Sequence, residues 1–320
     1  MTRIAILTSG GDSPGMNACI RAIVRGAKSM DMEVFGVERG YEGLIAGELF
    51  EMDRRTVSDI IQRGGTILRS ARSSAFQTPE GTKMAQNMLS SFRIDNLLVI
   101  GGNGSLTGAL RLHNAGSAVI GLPGTIDNDL AYTDYTIGFD TAVNTVLSAI
   151  SNIRDTSHSL DRTTIIEVMG AKLGDIAVYA GLAGGAEIIL VPEHEVDIDS
   201  ICEELLSNRN RGKMSSIIVK AEGVNISTDD LDRQIREKTN IDVKTIILGY
   251  IQRGGSPTAY DRILASRLGY EAACLAQRGE TGKAVGIRGG EVFSMDLADA
   301  LDVTTEEAES LHDLASALAR

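Results

Sequence analysis

The chain has 320 residues, enough for about two domains with cores of their own, and its 43% hydrophobic and 23% charged content argues against a disordered or low-complexity chain. With 31 Lys plus Arg against 43 Asp plus Glu, the net charge of −12 argues against duplex nucleic acid as the main partner, although a few arginines can still converge on a small anion. No apolar run approaches the ~18 residues of a membrane span and no signal-peptide pattern opens the chain, so a cytoplasmic protein is expected. In chain order, strands are predicted at Ile4–Thr8, Val34–Val37, Asn96–Ile100, Ala118–Leu122, Thr164–Val168, Glu187–Val191, Ser216–Lys220 and Lys244–Leu248. Their near-continuous hydrophobicity suits strands buried on both faces. Helices lie between them: Ile20, Ile23, Val24 and Ala27 recur at i, i+3, i+4 and i+7, as do Val143, Val146, Leu147 and Ile150. This alternation predicts an α/β fold with doubly wound, mainly parallel sheets, two of them. Thr304-Thr305-Glu306-Glu307 reads as a capping box before a last amphipathic helix carrying Leu311, Leu314, Ala315 and Leu318.

Three scattered cysteines (Cys19, Cys202, Cys274) form neither a disulfide framework nor a CxxC site, and four histidines show no ligand spacing. Gln-Arg-Gly-Gly occurs twice, at 62–65 and 252–255, too little for a repeat architecture. Without a Pro- or Ser-rich linker, two domains are expected to be joined by several short crossings, with the ligand in a cleft between them.

Three glycine-rich turns carry the chemistry. Thr8-Ser9-Gly10-Gly11-Asp12-Ser13-Pro14-Gly15-Met16-Asn17 and Ile100-Gly101-Gly102-Asn103-Gly104-Ser105 each follow a strand and lead into a helix; Gly121-Leu122-Pro123-Gly124-Thr125-Ile126-Asp127-Asn128-Asp129 follows a third strand. Glycine lets the backbone approach a ligand, and a helix N-terminus offers unpaired N–H groups to phosphate. One such turn is weak evidence; three at strand ends on one sheet edge point to phosphate binding. None fits the P-loop or the dinucleotide fingerprint. Asp127 and Asp129 can be Asx-turn formers, or they can be the base and the metal-side carboxylate that phosphoryl transfer needs.

Taken together, LTSGGDSPGMN, PGTIDND, TIGFDTA, IRDTS, GLAGGAE and IQRGGSP resemble the phosphofructokinase family, in its bacterial ATP-dependent form, over about four-fifths of the chain. The resemblance implies transfer of the γ-phosphate of MgATP to the 1-hydroxyl of fructose 6-phosphate in glycolysis. By the same resemblance Asp127 matches the catalytic base, Thr125 a residue beside the transferring phosphate, and Asp129 a holder of Mg²⁺, with Asn103 beside it. Gly11 and Arg72 match groups cradling the nucleotide phosphates, with Ser73, Gly102, Asn103, Gly104 and Ser105 completing the ATP site. Gly104 and Gly124 stand where pyrophosphate-using relatives carry Asp and Lys, which favours ATP as donor. The sugar-phosphate site would draw on Thr125, Ile126, Asp127, Arg162, Met169, Gly170, Ala171, Glu222, Lys244, Tyr250 and Arg253, some of them from a neighbouring subunit of a homotetramer. An effector site for ADP and phosphoenolpyruvate would use Arg21, Arg25, Arg54, Arg154, Gly185, Glu187, Arg211 and Lys213. A larger ATP-binding domain would cover 1–138 and 251–304, and a smaller sugar-phosphate domain 139–250 and 305–320.

Departures from the family cluster at the active site. Asn103 replaces Asp, Ala171 and Lys244 replace Arg, Tyr250 replaces His, and Ser73 replaces an aromatic residue; Lys172 is a possible substitute for the cation missing at 171. The six effector-site cations are kept. Two other readings therefore stand beside the kinase: a catalytically weakened regulatory subunit, and a kinase for another phosphosugar.

Overall fold

The computed structural model describes residues 1–304 and, beyond them, Leu311, Leu314, Ala317 and Leu318. The capping box and most of the expected C-terminal helix lie outside the described residues. In chain order the elements are β1 (Arg3–Thr8), α1 (Met16–Ser29), β2 (Glu33–Val37), α2 (Gly40–Ala46), β3 (Leu49–Met52), α3 (Pro79–Ser91), β4 (Asn96–Gly101), α4 (Asn103–Asn114), β5 (Val119–Thr125), β6 (Ile137–Gly138) and α5 (Phe139–Ser159). They continue as β7 (Thr163–Val168), α6 (Asp175–Ala183), β8 (Ile188–Leu190), α7 (Ile198–Asn210), β9 (Ser216–Ala221), α8 (Thr228–Thr239), β10 (Val243–Ile247), α9 (Ala259–Gln277), β11 (Lys283–Arg288), β12 (Glu291–Asp296) and α10 (Leu297–Asp302). All eight strands expected from the sequence are present, with ends shifted by a residue or more. The described residues divide into two compact units, 1–141 with 253–304 and 142–252, so the first two crossings fall three and two residues after the expected positions.

The first unit is built on an eight-stranded sheet ordered β12-β11-β5-β4-β1-β2-β3, with β6 added beside β5. Its centre is parallel and its two edges are antiparallel. Pleating sorts alternate residues onto opposite faces. Ile4 and Ile6 join Ile20, Ile23, Leu264 and Leu268 under α1 and α9, whereas Ala5 and Leu7 join Tyr41, Leu44, Leu89 and Leu106 under α2, α3 and α4. Both faces are therefore core, which is why these strands read as unbroken apolar runs. The hairpin β11–β12 turns through Gly289 and Gly290, both at positive φ (56° and 83°), the conformation a two-residue hairpin loop demands.

The second unit has a four-stranded, wholly parallel sheet, β10-β7-β9-β8. One face packs Ile165, Ile218 and Val243 against Leu205, Leu231 and Ile235 of α7 and α8. The two sheets are thus alike in type and unequal in size. Cys19 and Cys202 are buried and Cys274 is half-buried, all as free thiols. Among the described residues no helix is long and apolar enough to cross a membrane.

Candidate active site

β1, β4 and β5 are parallel neighbours, so the segments after them share one edge of the sheet. β2 lies on the far side of β1, so strand order reverses between β1 and β4. Sheets of this class bind ligands outside the strand ends at that switch point.

Two of the three glycine turns sit there as expected. After β1, the Ser9 N–H donates to the Ile100 carbonyl at 3.1 Å, stitching the first turn to the second. After β4, Gly102 caps α4 without a side-chain bond, and the first helical turn carries no acidic residue. The first N–H groups of a helix lack intrahelical acceptors, so this end presents donors and partial positive charge. A Cβ at Gly104 would meet nothing within 4 Å, so open space lies in front of those donors.

The third turn needs correction. Gly121-Leu122-Pro123-Gly124-Thr125 is not a turn but part of β5, and the chain leaves the sheet only at Ile126. The glycines there are packing residues. A Cβ at Gly121 would lie 2.9 Å from Leu106, and one at Gly124 would lie 2.8 Å from Ile100 and 3.2 Å from Met16. A side chain at Gly124 would therefore crowd β4 and the start of α1.

Thr125 ends β5 directly beside the second turn: a Cβ on Gly102 would come 3.3 Å from Thr125 Cβ. The Asp127 N–H donates to Thr125 Oγ1 at 3.3 Å. Asn128, between the two aspartates, adopts the left-handed conformation (φ 54°), which asparagine tolerates better than most residues. Its Oδ1 accepts from the Thr136 N–H (3.0 Å), and Thr136 Oγ1 donates to the Thr125 carbonyl (2.7 Å). Buried Thr136 thus fixes the loop that carries Asp127 and Asp129. One carboxylate oxygen of each aspartate is shielded from solvent.

Arg72 arrives on a long irregular segment between β3 and α3. Buried Asn17 anchors that segment through the carbonyls of Arg63 (3.1 Å) and Gly64 (3.2 Å) and the Ile67 N–H (2.8 Å). Thr8 Oγ1 adds bonds to Thr66 Oγ1 (2.9 Å) and the Arg69 carbonyl (2.8 Å). Arg72 itself is exposed. The repeated Gln-Arg-Gly-Gly acquires a meaning here, because the copies touch: a Cβ at Gly64 would lie 2.2 Å from the Gly255 carbonyl, and Ser256 Oγ donates to the Gln62 carbonyl at 2.7 Å. This contact sets Arg253 against Gly11, where a Cβ would sit 2.5 Å from Nη1. Arg253, expected among the sugar-phosphate residues, thus stands in the first unit beside the first phosphate turn.

Sequence reasoning missed the aromatic support of this edge. Tyr41 and Phe76 stack at 3.9 Å, and the Tyr41 hydroxyl donates to the Ser105 carbonyl at 2.7 Å. Burial pushes that hydroxyl's pKa up, so it remains a donor. Ser73, lacking an aromatic ring, instead accepts the Phe76 N–H at 3.1 Å and starts the short turn that presents Phe76. The signal lay in pairing Tyr41 with Phe76 across 35 residues, which no local pattern reveals.

In the second unit, Met169, Gly170 and Glu222 lie at the C-terminal ends of β7 and β9. The Glu222 N–H donates to the Val168 carbonyl (2.8 Å), the Gly223 N–H to the Gly170 carbonyl (3.0 Å), and the Met169 N–H to Gln252 Oε1 (3.1 Å). Ala171 and Lys172 are exposed on this loop, and Tyr250, 79% exposed, follows β10. Arg162 and Lys244 do not join them. Arg162 precedes β7, and Lys244 pairs with Thr164 near that strand's start. The six residues of β7 separate the two groups by about 20 Å at ~3.3 Å per residue. Arg162 is held by Asp242 at 2.6 Å. One chain therefore does not bring the eleven expected acceptor residues together.

The expected effector residues are likewise divided. Arg21 and Arg25 lie on successive turns of α1, and Arg54 is exposed, all in the first unit. In the second unit, buried Glu187 accepts from Lys213 (2.7 Å), Arg154 (3.3 Å) and the Ile217 N–H (2.5 Å). Arg154 also donates to the Gly185 carbonyl at 2.6 Å, whereas Arg211 turns to Asn208 Oδ1 at 2.8 Å.

With this geometry established, the model of a known family, described as phosphofructokinase, matches residues 3–276. The chain belongs to the phosphofructokinase family. Among phosphofructokinases of known sequence, it is 53% identical to the ATP-dependent 6-phosphofructokinase of Clostridium botulinum (strain Loch Maree / Type A3), over all 320 residues and all of that protein. It is 54% identical to the Clostridium tetani (strain Massachusetts / E88) enzyme of the same name, over 318 residues and 99% of each chain. The phosphofructokinase structure from Saccharomyces cerevisiae superposes with a TM-score of 0.89 at 34% identity, covering all of this chain and 48% of the yeast chain. A pyrophosphate-dependent phosphofructokinase from Marinobacter aquaeolei shares the fold (TM-score 0.84, 20% identity, 98% of this chain and 91% of that one).

Proposed function

We propose that this phosphofructokinase transfers the γ-phosphoryl group of ATP to the 1-hydroxyl of fructose 6-phosphate, yielding fructose 1,6-bisphosphate and ADP. One observation carries the reading: the second phosphate turn abuts Thr125, and Thr125 carries the fixed loop that presents Asp127. Donor phosphate and acceptor hydroxyl then meet at adjoining groups, as in-line transfer requires. The open end of α4 receives the phosphates through backbone N–H groups, with Gly11 and Arg72 facing the charge that develops on the transferring group. Asp127 accepts the hydroxyl proton, and the proton moves from the acceptor oxygen to the carboxylate as the new P–O bond forms. The clearance at Gly104 supports a nucleotide donor.

Mg²⁺ keeps most of its waters and binds through phosphate oxygens and one or two carboxylates. Asp129 would hold it, with the Asn103 carbonyl as a neutral partner, and the ion would supply charge neutralisation on the phosphates. The division of Arg162 and Lys244 from Glu222 supports an assembly in which neighbouring subunits complete each other's acceptor site, a cytosolic homotetramer acting in glycolysis. The Glu187 cluster would take ADP or phosphoenolpyruvate. A second reading, a regulatory subunit, is favoured by Ala171, which places no cation on the acceptor edge while the Glu187 cluster stays intact.

Purified protein incubated with MgATP and high-millimolar fructose 6-phosphate is expected to form fructose 1,6-bisphosphate. Absence of product at saturating substrate, with ADP still bound, would replace the kinase by the regulatory subunit.

A further inference from the structure

The second unit contains a pocket of about 760 Å³ that extends from Glu222 to the start of α8. Its size falls within the ~300–1,000 Å³ range of small-molecule sites. Its floor is unusual. Lys220 stands in β9, between Val219 and Ala221, with its side chain only 1% exposed. It lies directly opposite Glu167 on β7. Its ammonium donates to Glu167 Oε2 (3.2 Å) and to the Ala221 carbonyl (3.3 Å). Thr228, the first residue of α8, donates its hydroxyl to the same Oε2.

Stability does not account for this arrangement. Burying two charges costs as much as their attraction returns, and apolar residues of similar volume do as well or better. The residual hydrogen-bonding capacity points to a ligand. An ammonium has three protons, and among the described residues two are used. Both bonds to Glu167 fall on Oε2, which among the described residues leaves Oε1 as an acceptor at the pocket wall. A fixed donor beside a fixed acceptor matches a hydroxyl group, which both accepts and donates. The lining carries four acids (Glu167, Glu222, Asp229, Asp230) and two bases (Lys220, Arg233), so it disfavours phosphate and admits a neutral ligand face.

We propose that this pocket is a hydroxyl-reading subsite on the acceptor side, in which Lys220 and Glu167 bind hydroxyl groups of a polyhydroxylated ligand whose other end reaches Glu222. Thr228 is a positioning residue for Glu167. The proposal rests on the kinase reading for its acceptor, and it explains where recognition goes when phosphate-binding side chains are absent at Ala171 and Tyr250: from the phosphate toward the sugar hydroxyls.

Calorimetric titration of the full chain tests it, with fructose 6-phosphate, inorganic phosphate and ATP as separate probes. Lys220→Met and Glu167→Gln should each weaken fructose 6-phosphate at least tenfold, with phosphate and ATP unchanged within twofold. Equal weakening of all three probes, or none of fructose 6-phosphate, overturns the subsite. Should either variant fail to fold, Thr228→Val decides: a several-fold loss confined to fructose 6-phosphate supports the proposal, and no loss overturns it. If the wild type binds no fructose 6-phosphate, the kinase reading fails separately, and a panel of neutral polyols (D-fructose, D-glucitol, maltose) takes its place. Polyol binding that disappears in Lys220→Met sustains the subsite; no polyol binding, or binding only of amines, removes it.

Discussion

The two units present their ligand edges in opposite ways. In the first, the proposed recognition is by backbone: the helix end at Gly102, the turn at Gly11 and the strand end at Thr125 share one sheet edge through strand register. In the second, the proposed recognition is by side chains, and the sheet separates them, with Glu222 and Met169 at one end of β7 and Arg162 and Lys244 at the other. A backbone-built site survives sequence drift, because substitution leaves N–H groups in place. A side-chain site does not, and every acceptor-side departure (Ala171, Lys244, Tyr250) falls among side-chain groups. On the proposed reading, the donor half of the reaction would be complete within one chain, whereas the acceptor half would draw on another copy.

Four experiments would break or sharpen this contrast. The largest effect is expected from Asp127→Asn, which removes the base while keeping the loop's shape: kcat should fall about 10²–10⁴-fold with little change in the KM for ATP. Steady-state kinetics that retain most of the rate would remove Asp127 from its role. Next, Arg162→Ala should raise the fructose 6-phosphate KM, and refolding it together with Asp127→Asn should restore part of the activity that neither variant shows at low substrate. Such recovery requires Arg162 to serve a neighbouring chain; mixtures no better than the sum of their parts would place it in its own. Third, Ala171→Arg should restore a charge-assisted bond of about 1.5–3 kcal/mol and lower the fructose 6-phosphate KM roughly tenfold to a hundredfold, with the ATP KM unaltered.

The smallest effect concerns the first unit's framework. Asp261, wholly buried, accepts from the N–H groups of Gly138 and Thr141 (2.8 Å each) and from Thr141 Oγ1 (2.5 Å). Burial outweighs these bonds and pushes its carboxyl up to about 6 from 3.8. Because the folded state holds this proton more tightly than the unfolded state, Asp261 contributes more stability as pH falls from 6 toward 4, by about 2–3 kcal/mol at most. The melting-temperature gap between wild type and Asp261→Asn should therefore widen between pH 7 and pH 5. A constant gap would show that Asp261 does not titrate in that window.

Much of this was legible in the sequence, for identifiable reasons. Strands covered on both faces write themselves as apolar runs, which is why all eight were visible. The missed strands are edge or fragmentary elements: β3, β12 and two-residue β6 carry no such run, and β11 is interrupted by Gly286. The Gly289-Gly290 pair was the available signal for the β11–β12 hairpin. The first two glycine turns were legible as turns because glycine clusters between an apolar run and a helix. The error at Gly121–Gly124 came from the same rule, since close packing between helix and strand also selects glycine. The division of the acceptor residues could have been read from order alone, because Arg162 precedes a strand that Met169 follows. The Tyr41–Phe76 stack and the contact between the two Gln-Arg-Gly-Gly copies depend on tertiary structure and had no local trace.

The fit of Gly11 under Arg253 separates two kinds of selection. Gly11 is not among the positive-φ positions, so alanine suits its backbone, and the obstruction is the guanidinium end of one side chain, Arg253. A library of variants screened for resistance to proteolysis should accept alanine at position 11, because only the end of one side chain, and no backbone, must shift. A library screened for growth on the catalysed reaction should reject it, because the shift takes Arg253 off the phosphate edge. Position 11 would then look permissive in one map of mutational tolerance and invariant in the other, and the gap between the maps would mark the site without any ligand being seen.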